Sequence, residues 1–218
     1  YRPESFLSAS IISNSDFIID DNYYLYDQSL RPFITLFGIR GVEIENCNFI
    51  NHATNVIYDE MGTGIHSINA NYQVLSCSFS HLLVGIDGRN ADATFNVDMT
   101  NSSFNDNTKG IFLSNVHYPT VNNNSFEIPV VGGTVKSYGV YLNYCTGYEV
   151  DANIFNSTNN ELCTYGIVVN ESGPLANLVQ NSNFEGLTAG SVSQGINAGT
   201  YTGLEYYCNK FEDNNIAM

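Results

Sequence analysis

Two stretches of the chain hold residue types suited to chemistry. "GIDGRNADATFNVD" brings Asp87, Arg89, Asp92 and Asp98 close together in sequence. An acid–base site needs converging carboxylates and a cation in one groove. No second Arg or Lys lies near in sequence, however, and a polar loop with a local ion pair is the plainer reading. "IIDDNYYLYD" supplies Asp20, Asp21 and Asp27. Glycoside hydrolysis needs two carboxylates facing across a cleft, but these three fall in an atypical first unit and read more simply as part of an end-covering segment. His52, His66, His81 and His117 form no HxxxH or HExxH pattern, which favours ordinary surface or core roles over metal ligation. Cys47, Cys77, Cys145, Cys163 and Cys208 are odd in number and contain no CxxC pair, so neither a zinc site nor a complete disulfide framework follows.

The bulk composition narrows the partners. The chain has 218 residues, with 22 Asp and Glu against 7 Lys and Arg, a formal charge of -15. Such a surface repels phosphate backbones, which excludes nucleic acid as an expected partner. Asparagine occurs thirty times beside 18 Gly and no Trp, so turn formers abound and helix formers are scarce. The 15 Tyr and 13 Phe still allow a buried core. No run of about 18 apolar residues predicts a membrane helix. The first residues, "YRPESFLSAS", lack the basic and apolar regions of a leader.

What positions these residues is a repeat. Phe17, Phe49, Phe79, Phe104, Phe126, Phe155, Phe184 and Phe211 are separated by 32, 30, 25, 22, 29, 29 and 27 residues. Each closes a motif such as "IENCNF", "VLSCSF" or "VQNSNF". Between them a Gly followed by Ile or Val recurs at Gly38, Gly64, Gly85, Gly110, Gly139, Gly166 and Gly195. After the Gly, in–out alternation (Ile111 and Leu113, Val140 and Leu142, Ile167 and Val169) predicts a strand with one buried face. Five residues before each Phe stands a large residue: Ile44, Val74, Met99, Val121, Val150, Val179, Tyr206. An odd spacing puts the two on opposite faces unless the chain bends sharply between them. Asparagine tolerates the left-handed backbone of such a bend, and Asn46, Asn101, Asn123 and Asn181 stand there, or one place later Asn124, Asn153 and Asn209.

Strand, asparagine bend and strand, once per coil, predict a parallel β-solenoid whose units bury their apolar faces against their neighbours. The phenylalanines should stack inside as a ladder, with asparagines bonded along the stack. A leucine-rich repeat, the main competitor, demands closely spaced leucines and a helical or 3₁₀ return; here the returns are rich in Asn, Gly and Thr. Cys47 and Cys77 share a phase, two residues before Phe, and are predicted one rung apart as buried free thiols rather than a disulfide.

Two outward rows follow from the same register. Glu127, Asn156, Glu185 and Glu212 come one residue after successive phenylalanines. Such an acidic stripe can hold calcium, although a solvated face is the plainer reading. Phe112, Tyr141 and Val168 come two residues after Gly, with Tyr138 and Tyr165 just before it. Gathered by neighbouring coils they make an aromatic patch suited to binding, unless long loops such as "EIPVVGGTVKSYG" fold over it.

"GIFLSNVHYPTVNNNSF" and "GIVVNESGPLANLVQNSNF" resemble the repeats of the right-handed parallel β-helix, or pectate-lyase-like, superfamily. The resemblance covers the chain from about Phe17 to its end. It implies an all-β, right-handed parallel β-helix (solenoid) of about seven to eight coils, in which residues 1–218 are a single domain and 1–37 an atypical first coil or end-covering segment. The superfamily holds polysaccharide lyases, glycoside hydrolases, tailspikes, adhesins and secreted surface proteins. For the lyases it implies calcium-binding aspartates and a basic residue that abstracts a proton, which only Asp87, Arg89, Asp92 and Asp98 could supply. The acidic, Asn- and Tyr-rich style resembles secreted bacterial surface proteins. The C-terminal "FEDNNIAM" stops where another coil would begin, so the chain reads as a fragment of a longer β-helix or one whose end a partner covers. The expected function is a non-catalytic module, secreted or at the cell surface, that acts as a rigid scaffold or binds a glycan or protein partner. No cofactor is expected apart from the calcium alternative. A carbohydrate-active enzyme is the second reading.

Overall fold

The structure is a computed structural model that describes residues 10–21, 32–53, 61–91, 94–132, 135–157 and 163–216. Its strands form three parallel sheets of eight, eight and seven strands, and every third strand in sequence is the hydrogen-bonded neighbour. One coil shows the plan. Thr120–Asn122 lies in the first sheet, Ser125–Glu127 in the second and Ser137–Asn143 in the third. Neighbouring strands belong to successive coils, so the chain winds as a parallel β-solenoid.

The register is the one the phenylalanine spacing predicts. Ile44, Val74, Met99, Val121, Val150 and Val179 pair in sequence along the first sheet and are buried. Along the second sheet all eight anchor phenylalanines are in register. Their rings stack nearly parallel, with centroids 4.7–4.9 Å apart from Phe17 through Phe211. That spacing matches the distance between hydrogen-bonded strands. Rung separation therefore fixes ring separation, and every inner ring is walled by two others.

Between the first and second sheets the chain bends as expected. Asn46, Asn101, Asn123 and Asn181 hold φ values of 51, 54, 57 and 49°, and Ser76, Ala152 and Cys208 take the same left-handed conformation in their coils. The residue after each bend turns inward and caps the rung before it. The backbone N–H of Cys47 donates to Cys77 Sγ at 3.4 Å, that of Cys77 to Ser102 Oγ at 3.1 Å, and that of Ser102 to Asn124 Oδ1 at 2.9 Å. The N–H of Asn124 donates to Asn153 Oδ1 at 2.9 Å, that of Asn153 to Ser182 Oγ at 3.2 Å, and that of Ser182 to Asn209 Oδ1 at 2.9 Å. A buried corner of this kind leaves backbone donors that must find partners, and one small polar side chain per coil provides them. The thiols of Cys47 and Cys77 are free members of this ladder.

The third sheet corrects two of the glycine anchors. Gly64, Gly85, Gly110, Gly139 and Gly166 form the expected column, but its last member is Gly190, since Ser191 pairs with Ile167. In the first coil the equivalent place belongs to Phe33, between Pro32 and Ile34, which pair with Thr63 and Ile65. Gly38 and Gly195 instead lie beyond strand ends, at φ 63 and 67°. Both were drawn into the pattern by a following Ile, yet they serve the turn leaving the third sheet.

Candidate functional site

The strands of the third sheet kink at the glycine. In Ser137–Asn143 both Gly139 and Val140 are buried, whereas Tyr138 and Tyr141 are half-buried on the outside. Two consecutive inward residues break the simple alternation, so side chains three apart reach the same face. One outer row then reads Thr35, His66, Asp87, Phe112, Tyr141, Val168 and Val192 in register. A second row holds Lys109, Tyr138 and Tyr165.

Four rings meet there. Phe112 and Tyr141 have centroids 5.5 Å apart, Tyr138 meets Tyr141 edge to face at 5.3 Å, and Tyr138 lies 5.9 Å from Tyr165. Burial, followed by the neighbouring Tyr141 and Tyr165 hydroxyls, raises the Tyr138 hydroxyl above its ordinary value. Beside the rings opens a cleft of about 190 Å³ lined by Lys136, Tyr138, Tyr141, Tyr165, Val168, Val192 and Gln194. Val168 departs from the expectation of an exposed side chain: it points outward in register with Tyr141 but is only 3 % exposed. Larger tyrosines flank it on this face, so it forms the floor of the cleft and not its rim.

Cations gather on the same face. Arg89 lies over the Phe112 ring at 5.5 Å, Lys109 over that ring at 5.9 Å, and Lys136 over the Tyr165 ring at 5.9 Å. Cation–ring contacts of this length are attractive. Sequence proximity had offered Arg89 no cationic neighbour. The register supplies Lys109, whose strand pairs with that of Arg89.

The acidic candidates separate. Asp87 accepts two hydrogen bonds from Arg89, from Nε at 2.9 Å and Nη2 at 3.0 Å, and lies 3.1 Å from His66 Nδ1. The hydrogen bonds that Arg89 donates to Asp87 raise its guanidinium above the ordinary value. Asp98 belongs to the first sheet, where its carboxylate accepts from the Thr120 hydroxyl at 2.6 Å and from Asn96 Nδ2 at 3.2 Å. It therefore does not join Asp87. The strand Val84–Arg89, not a loop, holds the Asp87–Arg89 pair. Asp92 and Asp27 lie outside the described residues; Asp20 and Asp21 follow the second-sheet strand Asp16–Ile19 of the first coil.

His66, which has no metal-ligand pattern in the sequence, joins Asp87 on this face. It stands two residues after Gly64 as Asp87 stands two after Gly85, so the glycine phase alone would have placed them side by side. Glu127, Asn156, Glu185 and Glu212 do form one row in register, with Asn156 interrupting the carboxylates and Lys210 bound to Glu212 at 2.7 Å. Among the described residues no three His, Cys, Asp or Glu side chains converge as a metal site would require.

A stack of three-strand coils with inward phenylalanine and asparagine ladders defines a parallel β-helix. The chain belongs to the right-handed β-helix family: the family model described as "Right handed beta helix region" matches residues 32–216. No curated protein matches the chain. Among solved structures it is similar to that of the Streptococcus pneumoniae surface protein and adhesin PfbA, at 14 % identity and a TM-score of 0.53, over 95 % of this chain and 67 % of that one. That likeness is one of fold. Among the described residues no helix is long and apolar enough to cross a membrane.

Proposed function

We propose that the chain is a non-catalytic recognition module of a secreted or cell-surface bacterial protein, and that it binds carbohydrate along the outer face of its third sheet. The observation that carries this reading is the in-register, half-buried cluster of Phe112, Tyr141, Tyr138 and Tyr165 beside an open cleft. Rings held by a rigid sheet offer flat apolar area with little freedom left to lose, and tyrosine adds a polar edge. The surface setting draws support from the fold shared with a protein described as a surface protein and adhesin.

A second reading, a carbohydrate-active enzyme of lyase or hydrolase type, draws on His66, Asp87 and Arg89, which stand next to Phe112. A glycan array and a turnover assay separate the two, run on the native chain and on a Phe112→Ala, Tyr141→Ala double variant. The module binds at least one glycan without cleaving it, and the double variant loses that binding. Turnover by the native chain, abolished by Asp87→Asn, would establish the enzyme. Binding untouched by the double substitution would move the site elsewhere.

A further inference from the structure

We infer that the corner between the third and first sheets is a self-association surface, on which a second copy of this chain packs through Tyr118, Tyr144, Leu175, Ile196 and Tyr201. This contact does not depend on glycan recognition, which uses rings on the third sheet itself.

The first observation is where apolar surface is left open. In four consecutive coils the chain leaves the third sheet through residues 115–119, 144–148, 171–176 and 195–203 before it enters the first sheet. These turns stack: the backbone N–H of Tyr118 donates to the carbonyl of Thr146, that of Tyr144 to Asn170 and that of Gly173 to Ile196. Thirteen large apolar side chains are exposed among the described residues, and five of them stand on these turns. Tyr201 is 95 % exposed, at the tip of a short hairpin closed by the antiparallel bridge of Ala198 to Gly203 and by the N–H of Gly199 on the Thr202 carbonyl at 2.7 Å. A Cβ atom on Gly147 would lie 2.5 Å from the Tyr118 ring, so that ring rests against the following coil. Hydrogen-bonded turns thus hold a row of apolar side chains out in water, and an exposed row of that kind marks a contact surface.

The second observation, charge, selects the occupant. The chain carries 22 Asp and Glu, yet Glu171 is the only Asp, Glu, Lys or Arg in the four turns. Its carboxylate accepts the backbone N–H of Ile196 at 3.0 Å. The strand ends that lead into the turns add a neutral row in register, Ser114, Asn143, Asn170 and Gln194. Within it Asn143 donates to Ser114 Oγ at 3.3 Å and Asn170 to Asn143 Oδ1 at 2.8 Å. Carboxylates resume at Glu149 and Glu205, in the first-sheet strands. A basic partner is drawn to those carboxylates, and an anionic one is repelled by a molecule of charge -15. A neutral, ring-bearing edge fits another of its kind, and this chain's own corner is one: two copies meet there with their carboxylates turned outward. Both edges repeat at the rung distance of about 4.8 Å, so side chains of one antiparallel copy fall between those of the other. The three exposed tyrosines offer about 400 Å² of apolar ring. With Leu175, Ile196 and the amide row, each copy reaches the roughly 800 Å² that a specific dimer buries per partner. Pairing one edge with itself closes the assembly at two copies.

The test is sedimentation velocity of the native chain over a concentration series, in reductant so that exposed Cys208 forms no disulfide. The chain dimerises reversibly, and the dimer tightens as salt rises, because screening weakens the repulsion between two acidic copies. Tyr201→Ser and Tyr144→Asn each weaken dimerisation at least about tenfold, as buried tyrosine anchors do. Asparagine suits position 144, where φ is 52°. Both variants melt with the native chain at dilution, where all three are monomers. The Phe112→Ala, Tyr141→Ala double variant dimerises as the native chain does. A chain that stays monomeric at millimolar protein overturns the inference, as does a dimer that neither tyrosine substitution weakens. Loss of the dimer in the Phe112, Tyr141 variant places the contact on the third sheet and overturns it as well. A monomer that co-sediments with phosphatidylcholine vesicles, and ceases to do so with Tyr201→Ser, overturns the choice of a second copy as the occupant.

Discussion

A Cβ atom on Gly110 would lie 2.8 Å from Cδ1 of Phe126 in the following coil, and 2.6 Å from the carbonyl oxygen of Gly139. The same relation joins Gly64 to Phe79, Gly85 to Phe104 and Gly139 to Phe155. Each glycine makes room for the ring of the next coil, which is why glycine and phenylalanine alternate along the sequence. Phe33 can occupy the glycine place in the first described coil because its ring leans between Phe17 and Phe49, tilted by 55° to both at 6.0 and 6.1 Å.

Replacing Gly110 with Ala is therefore expected to destabilise the solenoid, although a glycine-to-alanine change in a strand usually stabilises. Overpacking of this kind costs about 1–3 kcal/mol. Phe126→Ala alone costs about 3–5 kcal/mol through the gap it leaves in the ladder. The double variant should lose less than the sum, since removing the ring relieves half of the clash. Denaturant unfolding of the four proteins measures the coupling; strict additivity would separate the two residues.

The polar ladder makes a different demand. Asn153 accepts from the backbone N–H of Asn124, and its Nδ2 donates to the carbonyls of Val121 at 2.7 Å and Asp151 at 3.0 Å. Asn153→Leu leaves these buried groups without partners, at about 1–3 kcal/mol each. Asn153→Ser should recover part of the loss, because Ser102 and Ser182 serve the same place in other coils. Equal stability of the two variants would show that the ladder is bystander packing.

The fold was legible because its signals are local. A bend needs asparagine where φ is positive, a stack needs one ring per coil, and both leave marks within six residues, as in "VNNNSF". The aromatic face was legible only in part. Phe112 and Tyr141 could be placed by counting from glycine; the outward direction of Tyr138 and Tyr165 could not, because it depends on the kink at the glycine, nor could the buried state of Val168, which depends on the size of neighbours from other coils. The two out-of-phase glycines have a similar cause. Gly38 and Gly195 carry the right dipeptide for a different backbone reason, and only the pairing partners of Ile34 and Ser191 reveal it. The meeting of Lys109 with Arg89 over Phe112 was hidden because the two cations lie twenty residues apart in the chain and one rung apart in space.

The cysteines should sort by depth. Burial pushes the Cys77 thiol up to about 11 and the Cys145 thiol up to about 12. The thiolate is the reactive form. Native protein treated with iodoacetamide near pH 8 should be modified first at exposed Cys208, while Cys47, Cys77 and Cys145 stay unmodified until the chain is denatured. Peptide mapping by mass reads the order. A raised thiol value favours the neutral form in the fold, so its contribution to stability is complete below the ordinary thiol value and is lost as pH rises through about 11 for Cys77. Rapid labelling of Cys77 in folded protein would contradict its place in the polar ladder.

Glu127 gives the pH dependence of the second sheet. Partial burial raises its carboxyl above the ordinary value, and the charge of Asp106 adds to the shift. A raised carboxyl value means that the fold favours the protonated form. The contribution to stability is thus present below the ordinary carboxylate range and is lost as pH rises through the raised value, so the ionised side chain weakens the fold at neutral pH. Glu127→Gln removes the titration and keeps the shape. The variant should melt higher than the native chain at pH 7, with a difference that shrinks as pH falls and vanishes once the native carboxyl is protonated. Thermal melts across that range, with and without added calcium, also decide between the two readings of the acidic row. A solvated row leaves the melting curves insensitive to calcium. A calcium-binding row reverses the outcome: the ion stabilises the ionised native side chain, raises its melting temperature at pH 7, and leaves Glu127→Gln the less stable of the two.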